Sequence, residues 1–479
     1  MNRLIVVGAG PAGMTLALQL ARAGRVVTLI DARRDFARSL RGDALMPCGL
    51  EALARMGLWP LLEQLPQRQL AGWGVWIERR ELFRVAEPLG ALQPCRLVSQ
   101  QQLLEALLQA ALACPTFTWI PGVGVSGLLQ TDAGTAPGHP GASPRVCGVR
   151  LADGRELKAD LVIGCDGRDS TVRRAAGLSL EPRGDALHLA WLVMTGEPTV
   201  GTALGNHSPA QQDNPAGDEL ATGEIAEGRG VGAVSRSGYP RISAAGDPTT
   251  GDPTSGAPTT GEPTSGAPTA ADPTSGDFLT LVGGGAIASA CRGAGGELQL
   301  GWLLRPGEPL PERSAADWAE AIARMAPPAL ADLLRRGSKR LSRPQRLTVQ
   351  VGLARRWQRP GVLLLGDAAH PMSPIRAQGI NQALRDSVVA AKELLQLTNE
   401  QLACPGSLDQ ASARIEAQRR PEIERLQGLQ LSEARQGHWI GHNPLLRQGL
   451  ALGAPLLGPV AQRVWMARQR PLREGAVWL

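Results

Sequence analysis

The chain has little of several things that commonly identify a protein, and each shortage excludes something. Among 479 residues there is one tyrosine and there are four phenylalanines, against eleven tryptophans. A pocket that works through tyrosine hydroxyls therefore has only Tyr239 to draw on. The seven cysteines, at positions 48, 95, 114, 147, 165, 291 and 404, are scattered, odd in number and never spaced C-x-x-C. This excludes a disulfide framework and fits reduced thiols in the cytoplasm. No Cys/His spacing suits zinc, so no metal site is expected. Nowhere does an apolar run reach the roughly eighteen residues of a membrane-spanning helix, and the N-terminus shows no cleavable signal pattern. Charged residues make up 20% and the net charge is +6, with no basic run interleaved with aromatics. Nucleic acid is not an expected partner.

What is present includes 43% hydrophobic residues, enough for a large core, and the length suggests two or three domains. The most informative stretch comes first. Leu4 to Val7 is a short apolar run of the kind found in a strand buried on both faces. It ends in Gly8-Ala9-Gly10-Pro11-Ala12-Gly13, then an apolar helix pattern runs from Met14 to Ala23. Gly24 stops that helix, Val26 to Ile30 reads as a second buried strand, and Asp31 closes it. A G-x-G-x-x-G turn between strand and helix, with an acid after the next strand, is the pattern of a dinucleotide site. Gly8 permits the tight turn, Gly10 lets backbone N–H groups approach a pyrophosphate, and Gly13 lets helix and strand pack closely. Asp31 is placed to accept hydrogen bonds from an adenosine ribose. Arg33 and Arg34 would suit a 2′-phosphate, so NADP stays open beside FAD on these residues alone.

Further along, Trp73–Ile77 and Leu82–Val85 read as a hairpin, and Val98 to Ala113 as a helix with Leu103, Leu104, Leu107, Leu108 and Ala111 on one face. Short strands follow, ending in Leu161-Val162-Ile163-Gly164-Cys165-Asp166-Gly167, with a helix from Arg168 to Ala176. A second strand-rich region holds Leu187–Met194, Phe278–Val282, Ala286–Cys291 and Glu297–Leu304. Within it, Asp247 to Gly276 is a pentapeptide array with Pro and Gly in its units. Such a period carries neither helix nor packed strand, so a disordered insertion at about 197–277 is expected, with a binding array as the weaker reading. Trp318 to Leu334 reads as helical despite Pro327-Pro328, and Leu347–Gly352 and Gly361–Leu365 as strands. Gly366-Asp367-Ala368-Ala369-His370 follows, then Gln378-Gly379-Ile380-Asn381 opens a helix to about Leu397. The tail from Glu416 is helical, divided by Pro421, Pro444, Pro455 and Pro459.

Three of these stretches, Gly8–Gly13, Asp166-Gly167 and Gly366-Asp367, stand in an order that resembles the FAD-dependent group A monooxygenases, the para-hydroxybenzoate hydroxylase-like flavoproteins. The segment from Leu161 to Arg173 resembles the family's "DG" signature, associated with FAD and NAD(P)H, and Gly366–His370 its "GD" signature, in which the Asp binds the ribityl chain. The resemblance implies an α/β fold: a Rossmann-type FAD-binding domain interleaved with a β-sheet-rich substrate domain, plus C-terminal helices. The FAD-binding domain is expected in residues 1–72, 97–183 and 344–400, the substrate domain in 73–96 and 184–343, and a helical region in 401–479. It implies FAD contacts from Gly8, Gly10, Ala12, Gly13, Asp31, Arg41, Gln100, Asp166, Gly167, Asp367, Gly379 and Asn381. There are departures. Ala377 stands where the family's P-x-x-G-Q-G loop has its first glycine, and Asp31 where Glu is more usual.

With a single nucleotide-binding unit, the resemblance further implies transient NAD(P)H binding, hydride transfer to FAD and reaction with O₂. One oxygen atom then goes to a small aromatic or isoprenoid-type substrate by hydroxylation or epoxidation. Two other readings stay open: a FAD-dependent reductase or dehydrogenase of a lipid or isoprenoid, and a flavin-binding interaction protein without catalysis. A tryptophan halogenase is disfavoured because the W-x-W-x-I-P signature is missing. With Tyr239 the sole tyrosine, beside the pentapeptide array, His188 and His370 are the candidate catalytic bases, although His370 equally suits shaping its loop. His188, Trp191, Met194 and Trp302 are candidates to line a pocket, with ordinary sheet core as the competing reading. Leu445–Met466 mixes apolar residues with arginines as an interfacial helix would. A membrane-surface contact is nonetheless disfavoured, because prolines interrupt the run.

Overall fold

The computed structural model describes residues 3–37, 43–89, 93–131, 144–196, 274, 276–305 and 307–475. Tyr239 and nearly all of the pentapeptide array lie outside these residues, as does Arg41.

The first strand, Arg3–Val7, lies inside a six-stranded sheet. Across that sheet the order is Gln358–Arg359, Val362–Leu364, Leu161–Gly164, Arg3–Val7, Val26–Asp31 and Phe117–Pro121, parallel except for the first pair. Strand alternation splits its apolar residues between two cores. Leu4 and Val6 pack with helices Pro11–Arg22, Gln100–Leu112 and Gln378–Leu395. Ile5 and Val7 pack on the other face with Val146, Val149 and Leu151, from a three-stranded sheet whose turn holds Asp153 and Gly154. Burial on both faces is why these strands read as continuous apolar runs.

A second sheet of seven strands runs in the order Gln345–Val349, Leu187–Met194, Leu298–Leu304, Ala286–Arg292, Asp277–Gly283, Gly72–Ile77, Arg80–Ala86. The strand Gln345–Val349 therefore belongs with this sheet, just past the boundary expected at 344. On one face Ala190, Leu192, Met194 and Trp302 pack under helices Ala315–Ala323 and Pro328–Arg336. These are two helices where the apolar pattern suggested one. Pro327 caps the second and Pro328 occupies its first turn, where a missing N–H costs nothing. The insertion also ends sooner than expected. Asp277 opens a strand and pairs with Arg84 at 2.5 Å, and the carbonyl of Gly276 accepts the amide of Ala71 at 2.9 Å.

In the tail, the helix Pro405–His442 passes through Pro421 without breaking, and Ala454–Glu474 through Pro459 and Pro471. Of the four prolines expected to divide the tail, Pro444 and Pro455 lie in the first turn of a helix. The long helix is joined to helix Gln378–Leu395 by buried ionic groups. Arg419 Nε lies 2.8 Å from Asp386 and also meets Glu422, which in turn receives Arg385 at 3.0 Å. Two cations thus face two anions, and the pairing offsets a desolvation cost that neither pair would tolerate alone.

Candidate active site

A cavity of about 1360 Å³ extends from the glycine turn to the face of the seven-stranded sheet opposite helices Ala315–Ala323 and Pro328–Arg336. At the turn, the backbone carries the geometry that the sequence implied. Gly8 has φ of +100°, and a Cβ there would stand 2.4 Å from the carbonyl oxygen of Cys165. A Cβ on Gly13 would stand 1.9 Å from the carbonyl oxygen of Gly8. Gly10 is different: nothing in the protein lies within 4 Å of where its Cβ would be, and the residue faces the cavity. Open space beside a helix N-terminus is what a pyrophosphate needs.

Asp31 lines the same end, and its carboxylate holds the turn. Oδ2 accepts the amide of Ala9 at 2.7 Å and Oδ1 the amide of Arg33 at 2.8 Å. Ala12, Arg33 and Gln100 also face the cavity. Gln100 is the first residue of its helix and its amide donates to Asp43.

Asp166 and Gly167 line the wall too, and Asp166 caps the following helix. It accepts Ser170 Oγ at 2.5 Å and the amides of Thr171 and Val172 at 2.7 and 3.1 Å. Arg173, buried on that helix, donates to the carbonyls of Ala368 at 2.8 Å and Arg168 at 2.7 Å. One guanidinium thus ties the Asp166 loop to the Asp367 loop, and burial depresses its pKa below the ordinary arginine value. Asp367 lines the cavity with a partly exposed carboxylate, 3.7 Å from Arg168.

Other predicted residues stand behind the wall. Asn381 is fully buried: Oδ1 accepts the amide of Met46 at 2.9 Å, while Nδ2 donates to the carbonyls of Ala44 and Ala377 at 3.1 and 2.7 Å. It clamps the start of its helix, whereas Gly379 beside it faces the cavity with open space where a side chain would stand. Ala377 stands in the left-handed region that favours glycine, at φ of +50°, and Arg376 before it is at +58°.

Both candidate bases lie off the cavity. His370 is buried, with Nε2 2.7 Å from Asp386 and its ring on Trp357 at 4.8 Å. Burial by itself would raise the Asp386 carboxyl; pairing with His370 and Arg419 outweighs it and holds the group at about 2. His188 points to the opposite face of its strand from Leu187, Leu189 and Trp191, which do line the cavity, and bonds Thr348 at 3.0 Å. Met194 and Trp302 sit in the helix-covered core, Trp302 edge-on to Trp318 at 5.7 Å. Of the proposed pocket group, only Trp191 faces the cavity.

The long helix supplies wall residues that the sequence reading missed: Leu431, Ala434, Arg435 and His438. Their spacing of three and four residues is one helical face, a signal present in the sequence but shared with any packed helix. Arg376 was missed as well. It pairs with Glu433 and its guanidinium lies 5.3 Å from the Trp73 ring and 5.1 Å from that of Trp465.

The chain belongs to the family described as FAD binding domain, which matches residues 2–211 and 298–424. It is 31% identical over 442 residues to 6-methylpretetramide 4-monooxygenase of Streptomyces rimosus, across 90% of this chain and 83% of that one. In structure it resembles PqsL of Pseudomonas aeruginosa, solved with 2-aminobenzoylacetate, at a TM-score of 0.65 and 18% identity over 95% of this chain and 99% of that one. It also resembles 2-methyl-3-hydroxypyridine-5-carboxylic acid oxygenase at a TM-score of 0.63 and 18% identity over 96% and 98%. The chain is a FAD-dependent monooxygenase. The glycines that open on the cavity, and the carboxylates around it, fit that cofactor. Among the described residues no helix is long and apolar enough to cross a membrane, and no group of His, Cys, Asp and Glu is arranged to hold a metal ion.

Proposed function

We propose that this monooxygenase hydroxylates an electron-rich aromatic ring held against the seven-stranded sheet, in a cytoplasmic protein whose seven cysteines are free. The observation that carries this reading is the continuity of the cavity from Gly10 and Asp31 to Trp191, Leu189, Leu303 and Ile287. The cofactor end is polar and rich in backbone N–H groups; the sheet end is apolar, with Thr280 and Ser289 as its hydroxyls. An aromatic body fits such a wall, and the few polar groups fix its orientation. The Streptomyces relative is named as a monooxygenase of 6-methylpretetramide, which supports oxygen transfer to an organic substrate in this cavity.

Gly8, Gly10 and Ala12 would receive the pyrophosphate, with Gly13 off the cavity and keeping helix and strand close, Asp31 the adenosine ribose, and Asp367 the ribityl chain, with Gln100, Asp166, Gly167 and Gly379 completing the wall around FAD. Once bound and reduced, FAD supplies the activated oxygen. The protein's own part is to orient the ring, exclude water and remove the proton of a ring hydroxyl. His438 is the histidine that lines the cavity among the described residues, and an imidazole suits that proton transfer near neutral pH.

The test is NAD(P)H oxidation and oxygen uptake by the purified yellow protein against phenols of one to four rings and against prenylated alkenes. Labelled dioxygen should place one labelled atom in a phenolic product. Oxidation of NAD(P)H with substrate reduced and no label incorporated would instead make the protein a reductase.

A further inference from the structure

The C-terminal helices leave an apolar ridge uncovered. Trp439, Leu445, Leu452, Leu456, Val460 and Val464 are 62, 80, 70, 84, 59 and 50% exposed. Leu456, Val460 and Val464 follow at intervals of four residues and form one stripe along helix Ala454–Glu474, with Leu452 exposed at the end of the preceding helix Pro444–Leu452. The prolines of this segment would be expected to interrupt such a stripe. In the structure Pro455 lies in the first turn and Pro459 within the helix, and the stripe survives both.

The ridge is the outer side of a docked helix. On the inner side, Gly458 sits against the carbonyl of Leu82, Trp465 packs on Trp73 at 6.0 Å and on Phe83 at 5.8 Å, and Arg473 pairs with Glu87. Arg447 likewise turns inward, to Glu78 at 2.6 Å. Scattered exposed apolar residues are ordinary, but a contiguous line of this length marks a surface that meets something.

Charge identifies the partner. Between Glu433 and Glu474 the chain contains no aspartate or glutamate, while Arg435, Arg463, Arg468 and Arg470 are exposed. Of these, Arg470 has an acid at hand, Glu474 at 3.0 Å. A second copy docked ridge to ridge would set arginine against arginine, and the one carboxylate at the end of this segment, Glu474, is already taken by Arg470. We propose that this face seats the enzyme on an anionic lipid surface, with the stripe in the acyl boundary and the arginines among the head groups. It is a contact along the surface, since the helix is too polar to span. Exposed Trp439 directly follows His438, which lines the cavity. The proposal does not depend on which substrate enters there.

The experiment is co-sedimentation of the full-length FAD-loaded protein with vesicles of phosphatidylcholine, with or without phosphatidylglycerol. Roughly tenfold more protein should pellet with the anionic vesicles, and high salt should remove most of that difference. Leu456→Glu with Val460→Glu should abolish pelleting, and Arg463→Gln with Arg468→Gln should reduce it severalfold. All four side chains are exposed, so flavin content and melting temperature should not change. Equal pelleting with both vesicle types, or none, overturns the proposal. So does a dimer in sedimentation velocity that Leu456→Glu converts to monomer, because a second copy would then cover the ridge.

Discussion

The carboxylate of Asp386 accepts a hydrogen bond from Nε2 of His370 at 2.7 Å, with both side chains closed to solvent. The same Oδ2 accepts the amide of Gly366 at 2.8 Å, and Oδ1 faces Arg419. One buried acid therefore sets the turn before Asp367 and anchors the long C-terminal helix. The histidine of this loop serves its shape.

Replacing Asp386 by Asn should destabilise the fold by roughly 3–5 kcal/mol, because Arg419 keeps its buried charge and loses a partner. The folded carboxyl titrates at about 2, below its ordinary 3.8, so its contribution is complete above 3.8 and is lost as the pH falls through about 2. Urea unfolding of both proteins from pH 6 downward should show a gap that holds to about pH 3.8 and narrows as the pH falls from there through about 2. A gap that closes at pH 6 would assign the effect to another group.

Asp31→Ala should cost both stability and FAD. The carboxylate holds two backbone amides, and charged hydrogen bonds of this kind contribute roughly 1.5–3 kcal/mol each. Asp31→Asn keeps an acceptor for Ala9 and should lose less. Asp367→Ala, at a partly exposed wall position, should lower FAD occupancy with a smaller change in the melting temperature of the flavin-free protein. Flavin release measured beside thermal unfolding separates the two patterns.

Gly10→Ala and Gly13→Ala form a contrasting pair. At Gly10 a methyl meets no protein atom within 4 Å, so the apoprotein should melt normally while FAD occupancy falls. At Gly13 the methyl would lie 1.9 Å from the Gly8 carbonyl oxygen, and the apoprotein itself should be destabilised. Equal melting temperatures for the two variants would contradict this account of the turn.

Ala377→Gly should stabilise the protein. Alanine at φ of +50° stands in a conformation that disfavours a Cβ by roughly 1–2 kcal/mol, partly offset by the greater freedom of glycine in the unfolded chain. An increase of about 0.5–1 kcal/mol in urea unfolding is expected. A decrease would mean that the methyl makes packing contacts outweighing the strain.

His438→Ala should lower kcat on a phenolic substrate by roughly 100-fold or more, with flavin reduction by NAD(P)H intact. His188→Ala should leave turnover unchanged, since that side chain stands on the far face of its strand. Loss of turnover in the His188 variant alone would remove His438 from the proposed role.

The sequence by itself determined the glycine turn, the two strands around it and the carboxylates after them, because each depends on neighbours within a few residues. Gly8 and Gly13 could be read as obligatory from strand, turn and helix signals alone. So could the strand Leu187–Met194, which the structure reproduces residue for residue. Which face of that strand meets the cavity was decided only in three dimensions, and with it the separation of Trp191 from His188 and Met194. Alternation says that successive side chains part, but which set meets the core depends on the helices at 315–336 covering one face and the long C-terminal helix lying by the other. The fate of His370 was equally non-local: its partners Asp386 and Arg419 sit on two different helices, brought to the loop by burial and charge pairing. The prolines of the tail show the same limit. Pro421 and Pro459 weaken a helix locally, and tertiary packing of the helices that contain them outweighs that preference.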